Sequence, residues 1–185
     1  MKKILVMGLV LVLVVGVMSV PTYAFIRLKG GYFMPAESAE IEEGGEKVPD
    51  GGIIYGGELT TTLGGILGLG IGADYFPYSK TIEGVKGNWT TGSAIVTLYF
   101  IPGAKFYLGA GAGYYIVNVS VEGEDNFLGS GLGYHGVVGW NITRRIFIEG
   151  KYSTCTVDNW EKGGGPYAFG ISDIGGIIVM FGFNL

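Results

Sequence analysis

A side-chain period of two residues, which recurs after residue 24, constrains the fold of this chain more than any other feature. The clearest run is Leu67–Tyr75, in which large apolar side chains alternate with glycine and one aspartate. Successive side chains of a strand point to opposite faces, so alternation of this kind predicts a strand with one apolar face. No convincing run with a 3.6-residue period follows residue 24. The chain is therefore predicted to be all-β.

Eight such runs are present, and the connections between them alternate in length. The predicted strands lie at about 26–34, 52–62, 67–75, 93–101, 106–116, 132–142, 146–153 and 177–185. Short turns are expected near 63–66, 102–105 and 142–145, and long polar loops at about 36–50, 79–91, 120–130 and 157–170. Short and long connections in alternation are typical of a transmembrane barrel. The prediction is an eight-stranded antiparallel up-and-down transmembrane β-barrel.

The composition of the two strand faces favours a membrane over water. One face of nearly every predicted strand is aliphatic or aromatic, and the other consists of glycine, serine, threonine and charged residues. The interior of eight strands is narrow, and 36 glycines suit such a lumen better than a solvated exterior. The apolar face is therefore expected to meet lipid, where closure satisfies every backbone group. A soluble barrel of the lipocalin type is the structural alternative.

The N-terminus predicts export. Lys2 and Lys3 precede the apolar run Ile4–Met18, and Thr22-Tyr23-Ala24 has small residues where a signal peptidase requires them. The run is shorter than the roughly 20 residues of a helical anchor, which is the alternative. We expect residues 1–24 to be a cleaved signal peptide and 25–185 the barrel domain. Cleavage leaves 10 basic and 16 acidic residues, a charge of −6 that argues against nucleic acid as a partner.

Six charged residues fall on the polar faces of predicted strands, and we expect them to form a network in the lumen. They are Arg27, Lys29, Glu58, Asp74, Glu149 and Lys151. Buried charges are tolerated when they are paired, and three cations with three anions satisfy that condition. The network is interpreted either as a plug that neutralises itself, which is favoured, or as a gated path for ions.

Little in the sequence indicates catalysis. His135, the single histidine, is predicted to point into the lumen, whereas a lipid-modifying barrel needs its base facing acyl chains. Cys155 is the single cysteine and permits no internal disulfide. No cofactor, catalytic residue or metal site is predicted. The acidic loops, including Glu37, Glu40 and Glu122, form a solvated face that could contact a surface ligand. The aromatic residues assigned to loops could contact such a ligand, or could equally fold the loops down onto the barrel rim. Those aromatics are Trp89, Phe127, Trp160, Tyr167 and Phe169.

Four segments resemble a known family: Leu28–Pro35, Tyr99–Pro102, Tyr107–Tyr115 and His135–Trp140. They are similar to the small eight-stranded outer-membrane β-barrels of the OmpA-like, OmpW-like and opacity-type porin group. The resemblance implies an outer-membrane location, contact with membrane lipid and lipopolysaccharide, and insertion by the barrel-assembly machinery. The family's C-terminal assembly signal is matched by the alternate apolar residues Ile177, Val179, Phe181, Phe183 and Leu185. An aromatic residue is usual at the position of Leu185.

An even number of strands leaves both chain ends on the side of the short turns, so the termini are expected to be periplasmic and the long loops extracellular. The leading functional hypothesis is a non-enzymatic barrel with a structural or surface-interaction role. A narrow porin-like channel for ions or small solutes is the alternative, and a lipid-modifying enzyme is a third.

Overall fold

The computed structural model describes residues 24–36, 51–63, 65–82, 85–100, 105–121, 125–166 and 173–185, and these residues form an antiparallel sheet. The strands are β1 (Ala24–Pro35), β2 (Gly52–Leu63), β3 (Leu67–Ile82), β4 (Val85–Phe100), β5 (Phe106–Val121), β6 (Phe127–Asn141), β7 (Ile146–Lys162), β8 (Gly165–Pro166) and β9 (Asp173–Asn184). Strand β8 has two residues and pairs only with the end of β7.

The eight long strands close into a barrel. Each strand from β1 to β7 pairs with the next along the chain, and β9 pairs with both β7 and β1. The ends of β2 and β4, the starts of β3 and β5, and the turn at 142–145 lie at one end together with Ala24 and Leu185, and we call this the turn end. The opposite end is called the loop end. The predicted eight-stranded antiparallel barrel is confirmed.

Alternation along each strand separates an outer face from a lumen. In β1, Ile26, Leu28 and Tyr32 are exposed, while Arg27 and Lys29 are buried. The same division holds along β6, where buried and exposed residues alternate from Phe127 to Trp140. Because the side-chain period of a strand is two, the face assignments made from sequence agree with the structure on every barrel strand.

The strands are longer at the loop end than the sequence predicts. Strands β3 and β4 stay paired as far as Ile82 and Val85, so the predicted loop at 79–91 is wrong. Likewise β7 continues to Lys162 and then turns through Gly163 and Gly164, which have positive φ angles of 58° and 85°. Pairing of the main chain extends these strands beyond the apolar alternation that marks them in the sequence. Most of the first predicted loop lies outside the described residues.

A β-bulge near the loop end redirects one aromatic side chain. The pairing of β6 with β7 shifts between Ser130 and Gly131, so that Asp158 and Asn159 are both exposed. A bulge adds one residue to one strand and so reverses the alternation beyond it. Trp160 consequently points into the barrel, where it is buried.

The loop-end half of the lumen is mainly apolar, which corrects the expectation of an interior of glycine, serine, threonine and charge. Its buried cluster includes Phe33, Ile54, Phe76, Trp89, Val117, Phe127, Cys155, Val157, Trp160, Ile178 and Met180. The assignment of Trp89, Phe127 and Trp160 to loops, where they would contact a ligand or pack onto the barrel rim, is therefore wrong, because all three lie within strands and face inward. Tyr167 and Phe169 lie outside the described residues.

Residues 1–23 lie outside the described residues, so the signal peptide remains a prediction. Ala24, the last residue of that predicted peptide, begins β1 and pairs with Thr61. In the part of the chain that the structure describes, no helix has the length and apolar character needed to cross a membrane.

Candidate functional site: the charged lumen

Four charged side chains meet in the turn-end half of the lumen. Lys29 Nζ lies 3.1 Å from Glu149 Oε1 and 3.4 Å from Glu58 Oε2. Arg27 Nη2 lies 3.1 Å from Glu149 Oε2, and its Nη1 lies 3.6 Å from Glu58 Oε1. Each cation therefore contacts both carboxylates, and the cluster of two cations and two anions is neutral.

Strand register brings these groups together. Arg27 on β1 lies directly opposite Glu58 on β2, and Lys29 follows two positions later on the same face. Glu149 comes from β7, which is separated from β1 by β9, so its carboxylate reaches the cations across the lumen. The structure thus unites four of the six predicted residues in one cluster.

Hydroxyl groups supply further hydrogen bonds to the carboxylates. Tyr99 donates to Glu58, with its hydroxyl 2.8 Å from both carboxylate oxygens. Thr60 Oγ1 donates to Glu58 Oε1 at 2.6 Å, and the Tyr107 hydroxyl donates to Glu149 Oε2 at 3.0 Å. Buried ion pairs are stable only when such bonds satisfy their remaining lone pairs.

Aromatic rings surround Arg27. Its guanidinium carbon lies 3.9 Å from the centroid of the Phe147 ring and 4.8 Å from that of Tyr107, and Arg27 Nη2 also donates a hydrogen bond to the Tyr107 hydroxyl. Phe147 is 0% exposed although it is only the second residue of β7 after the turn. A cation over a ring face is attracted by the ring quadrupole. Arg27 and these rings fill the lumen at the turn end.

The remaining two predicted charges form a separate pair. Lys151 Nζ on β7 donates to Asp74 Oδ2 on β3, and both side chains are buried. The other carboxylate oxygen, Asp74 Oδ1, and Ser93 Oγ have no hydrogen-bond partner among the described residues. Both residues line a cavity of about 40 Å³ in the loop-end half, together with Phe33, Tyr115, Ser153 and Cys155. A cavity of this size has room for about two water molecules.

Glycines on the lumenal face make space for these large groups. A Cβ atom at Gly139 would overlap the ring of Tyr107, and one at Gly70 would meet the carboxylate of Glu58. The glycine-rich faces and the large polar side chains are therefore two parts of one packing arrangement.

Sequence reasoning found the charges but missed the groups that support them. Thr60, Tyr99, Tyr107 and Phe147 were not predicted to belong to the network, although each has the inward parity of its strand. A search for inward hydroxyl and aromatic residues near the turn ends of strands would have found them.

His135 lies in the lumen, in contact with a threonine. Its Nε2 is 2.8 Å from Thr97 Oγ1, and its Nδ1 has no partner among the described residues. Ser153 pairs in register with His135, but its hydroxyl lies 3.3 Å from the Tyr115 hydroxyl instead. The imidazole therefore faces away from the outer surface of the barrel.

The residues of the predicted assembly signal lie on the outer face of β9. Ile177, Val179, Phe181 and Phe183 are exposed, as is Leu185 just beyond the strand. The signal itself stays a prediction. Of the acidic loop residues, Asp125, Asp158 and Glu161 are described and exposed. Within the described ranges no group of three or more His, Cys, Asp or Glu side chains is arranged to hold a metal ion.

Solved structures share this architecture at low sequence identity. Ail of Yersinia pestis, crystallised with the heparin analogue sucrose octasulfate, aligns with a TM-score of 0.60 and 14% identity over 88% of this chain and 99% of its own. Neisserial surface protein A aligns with a TM-score of 0.53 and 9% identity, over 89% of this chain and 97% of its own. OprG of Pseudomonas aeruginosa aligns with a TM-score of 0.52 and 15% identity, over 90% of this chain and 96% of its own.

This chain has the fold of the small outer-membrane β-barrels. The neighbours are eight-stranded barrels of the kind that the resemblance in sequence predicted. No protein-family model matches the sequence, and no curated protein matches it. The likeness therefore establishes the architecture, and function has to be argued from the lumen and the outer surface.

Proposed function

We propose that the chain is a non-enzymatic outer-membrane β-barrel with a closed lumen and a structural or surface-interaction role. The observation that carries the proposal is the outer face, where large apolar side chains are exposed on every barrel strand while six charged groups are buried inside. Contiguous exposed apolar surface on this scale marks contact with another apolar phase. A hydrocarbon layer covers a closed barrel on all sides, as this surface requires.

Expression of the full chain in a Gram-negative cell tests this location. We expect the mature protein in the outer-membrane fraction, with a gel mobility that changes when the sample is boiled because the closed barrel resists detergent. Recovery as a folded protein in the soluble periplasmic fraction would contradict the proposal.

The packing of the lumen favours a closed barrel over the porin-like alternative. Arg27, its ring neighbours and the ion pairs with Glu58 and Glu149 occupy the turn-end half, with side chains almost entirely buried. We expect purified protein in planar bilayers to give no steady conductance. Steady openings of the unmodified protein would favour the channel, for which the cavity beside Asp74 and Lys151 is the supporting feature.

The position of His135 argues against the lipid-modifying alternative. Its imidazole is buried and bonded to Thr97 inside the barrel, whereas acyl chains would lie outside. Deletion of the gene should leave lipid A acylation unchanged, and a changed acylation pattern would revive the enzyme hypothesis.

The outer end of the barrel is proposed to contact a basic partner. The chain segments nearest the loop end, 36–51, 79–88, 121–127 and 157–173, contain 13 acidic and 4 basic residues, a charge of −9. Ail was crystallised with a polyanionic heparin analogue, and such a ligand would be repelled by this charge. Protein in nanodiscs should therefore bind polylysine in a salt-sensitive manner and not heparin. Binding of heparin in preference to polylysine would contradict this part of the proposal.

Insertion is proposed to depend on β9, the membrane lipid and lipopolysaccharide around it, and the barrel-assembly machinery. Because Leu185 replaces the usual terminal aromatic residue, Leu185→Phe should raise the folded fraction in the outer membrane, and Phe183→Ser should lower it. Equal folded fractions for all three proteins would argue against β9 as the assembly signal.

A further inference from the structure

One corner of the turn end carries three exposed cations. Lys105 lies in the turn before β5, and Arg144 and Arg145 lie in the turn between β6 and β7. No ion pair joins any of the three to an acidic group in the described part of the chain. The sequence explains this, because the segments that form the turn end contain no aspartate or glutamate: 24–26, 63–67, 100–106, 141–146 and 183–185.

Backbone hydrogen bonds hold the two basic turns side by side. The carbonyl oxygen of Lys105 accepts a bond from the amide of Asn141 at 2.7 Å. The end of β9 then binds the second turn, since Asn184 donates its backbone amide to the Arg145 carbonyl at 2.7 Å and its side-chain amide to the Arg144 carbonyl at 3.2 Å. The three cationic side chains are therefore gathered by the fold at one place on the rim, which we call the cationic corner.

An apolar aromatic surface adjoins the cationic corner on the outer face. Phe106 and Trp140 stack with their ring centroids 5.9 Å apart, and both are exposed. They directly neighbour Lys105 and Asn141 in the chain, so the rings border the basic turns. Aromatic rings beside lysine and arginine are typical of the boundary between hydrocarbon and headgroups.

The two ends of the barrel differ strongly in charge. The lumenal charges cancel, the turn-end segments carry three cationic and no acidic side chains, and the loop-end segments carry the charge of −9 given above. An anionic surface is therefore attracted only to the turn end and repelled from the loop end.

We propose that the cationic corner selects anionic phospholipid headgroups, of which phosphatidylglycerol is the representative, in the leaflet that surrounds the turn end. The inference rests on the proposed function, because it requires the outer face to lie in a bilayer. Charge complementarity identifies the occupant: three cations face the headgroup and a stacked aromatic pair faces the upper part of the acyl chains. Each lysine or arginine near an anionic membrane surface strengthens binding appreciably.

Tryptophan fluorescence in vesicles tests this directly. Of the three tryptophans, Trp89 and Trp160 are buried in the lumen, and only Trp140 lies on the outer face beside the cationic corner. Two sets of vesicles would be made from phosphatidylglycerol and phosphatidylcholine, with dibrominated acyl chains on the first lipid in one set and on the second lipid in the other. Brominated chains quench tryptophan fluorescence on contact. The comparison measures which lipid lies next to Trp140.

At low salt we expect quenching that corresponds to about a fivefold preference for phosphatidylglycerol over its share of the bilayer. The preference should disappear at high salt and in the triple variant Lys105→Gln/Arg144→Gln/Arg145→Gln, and persist in the matched loop-end variant Lys162→Gln. Equal quenching by the two lipids in the unmodified protein would overturn the inference while leaving insertion intact. Absence of quenching by either lipid would overturn the proposed membrane location itself, and the inference with it.

Discussion

Lys29 on β1 and Glu149 on β7 form an ion pair across the barrel lumen, with Nζ 3.1 Å from Oε1. The strands that carry them are not neighbours, since β9 lies between the two. The pair therefore ties two non-adjacent strands of the closed barrel together and, with Arg27 and Glu58, fills the turn-end half of the lumen with charges that cancel.

Removal of one anion from this cluster should be costly. In Glu149→Gln, Arg27 and Lys29 would share Glu58 alone, which leaves one buried cation without a partner. We expect the free energy of unfolding to fall by about 3–5 kcal/mol, as is usual when one member of a buried pair is removed. Urea titration of the protein folded into vesicles measures the change.

A second substitution should restore most of that loss. Lys29→Met in the Glu149→Gln background removes the excess cation and leaves Arg27 with Glu58. If the single Glu149→Gln variant had the same unfolding free energy as the unmodified protein, the cluster would not contribute to stability as described.

Two glycines of β6 provide a matched test of lumen packing. A Cβ at Gly139 would overlap the Tyr107 ring, whereas a Cβ at Gly136, on the outer face, would meet no atom within 4 Å. Gly139→Ala should lower the unfolding free energy by about 1–3 kcal/mol through overpacking. Gly136→Ala should stay within about 0.5 kcal/mol of the unmodified protein. Equal effects would mean that Tyr107 does not occupy the lumen.

The buried thiol reports on closure of the loop-end half. Cys155 is 2% exposed and lies in the cavity of the lumen. In folded protein it should react with a bulky thiol reagent about a hundredfold more slowly than in urea, the factor given by an opening free energy of roughly 2.8 kcal/mol. The exposed control Ser79→Cys, made in Cys155→Ser, should react at similar rates in both states. A fast reaction of Cys155 in folded protein would contradict a closed lumen.

The outer face predicts that the cost of a charged substitution depends on its depth in the membrane. Ile71 lies in the middle of the exposed apolar run of β3, and Ser79 lies on the same face beyond that run. Ile71→Arg should lower the unfolding free energy in vesicles by about 2–4 kcal/mol, and Ser79→Arg by about 1 kcal/mol or less. A smaller loss at Ile71 than at Ser79 would place the hydrocarbon band elsewhere.

Periodicity in the sequence is enough to predict which residues face outward. Leu67, Leu69 and Ile71 alternate with glycine, and any pairing partner leaves those three on one face. The ends of strands are harder to predict, because β3 and β4 continue past Tyr78 through main-chain pairing, which side-chain patterns do not report.

The apolar half of the lumen escaped prediction for a related reason. Near the loop end both faces of a strand are apolar, as in Phe33-Met34 and Ile53-Ile54. Such consecutive apolar residues do not reveal that the inward face is apolar as well as the outward one. The ion-pair partner of each charged residue could not be predicted from the sequence either. Arg27 and Glu58 meet by direct register, but Lys151 meets Asp74 across the lumen, which depends on how the closed sheet is staggered.

Sedimentation and circular dichroism of residues 25–185, refolded with and without detergent, test the central claim most directly. Since the exposed face of every barrel strand is apolar, we expect a folded monomer only in detergent micelles or vesicles, and aggregation in plain buffer. A folded monomer that persists in buffer free of detergent would contradict a barrel whose outer face is covered by lipid.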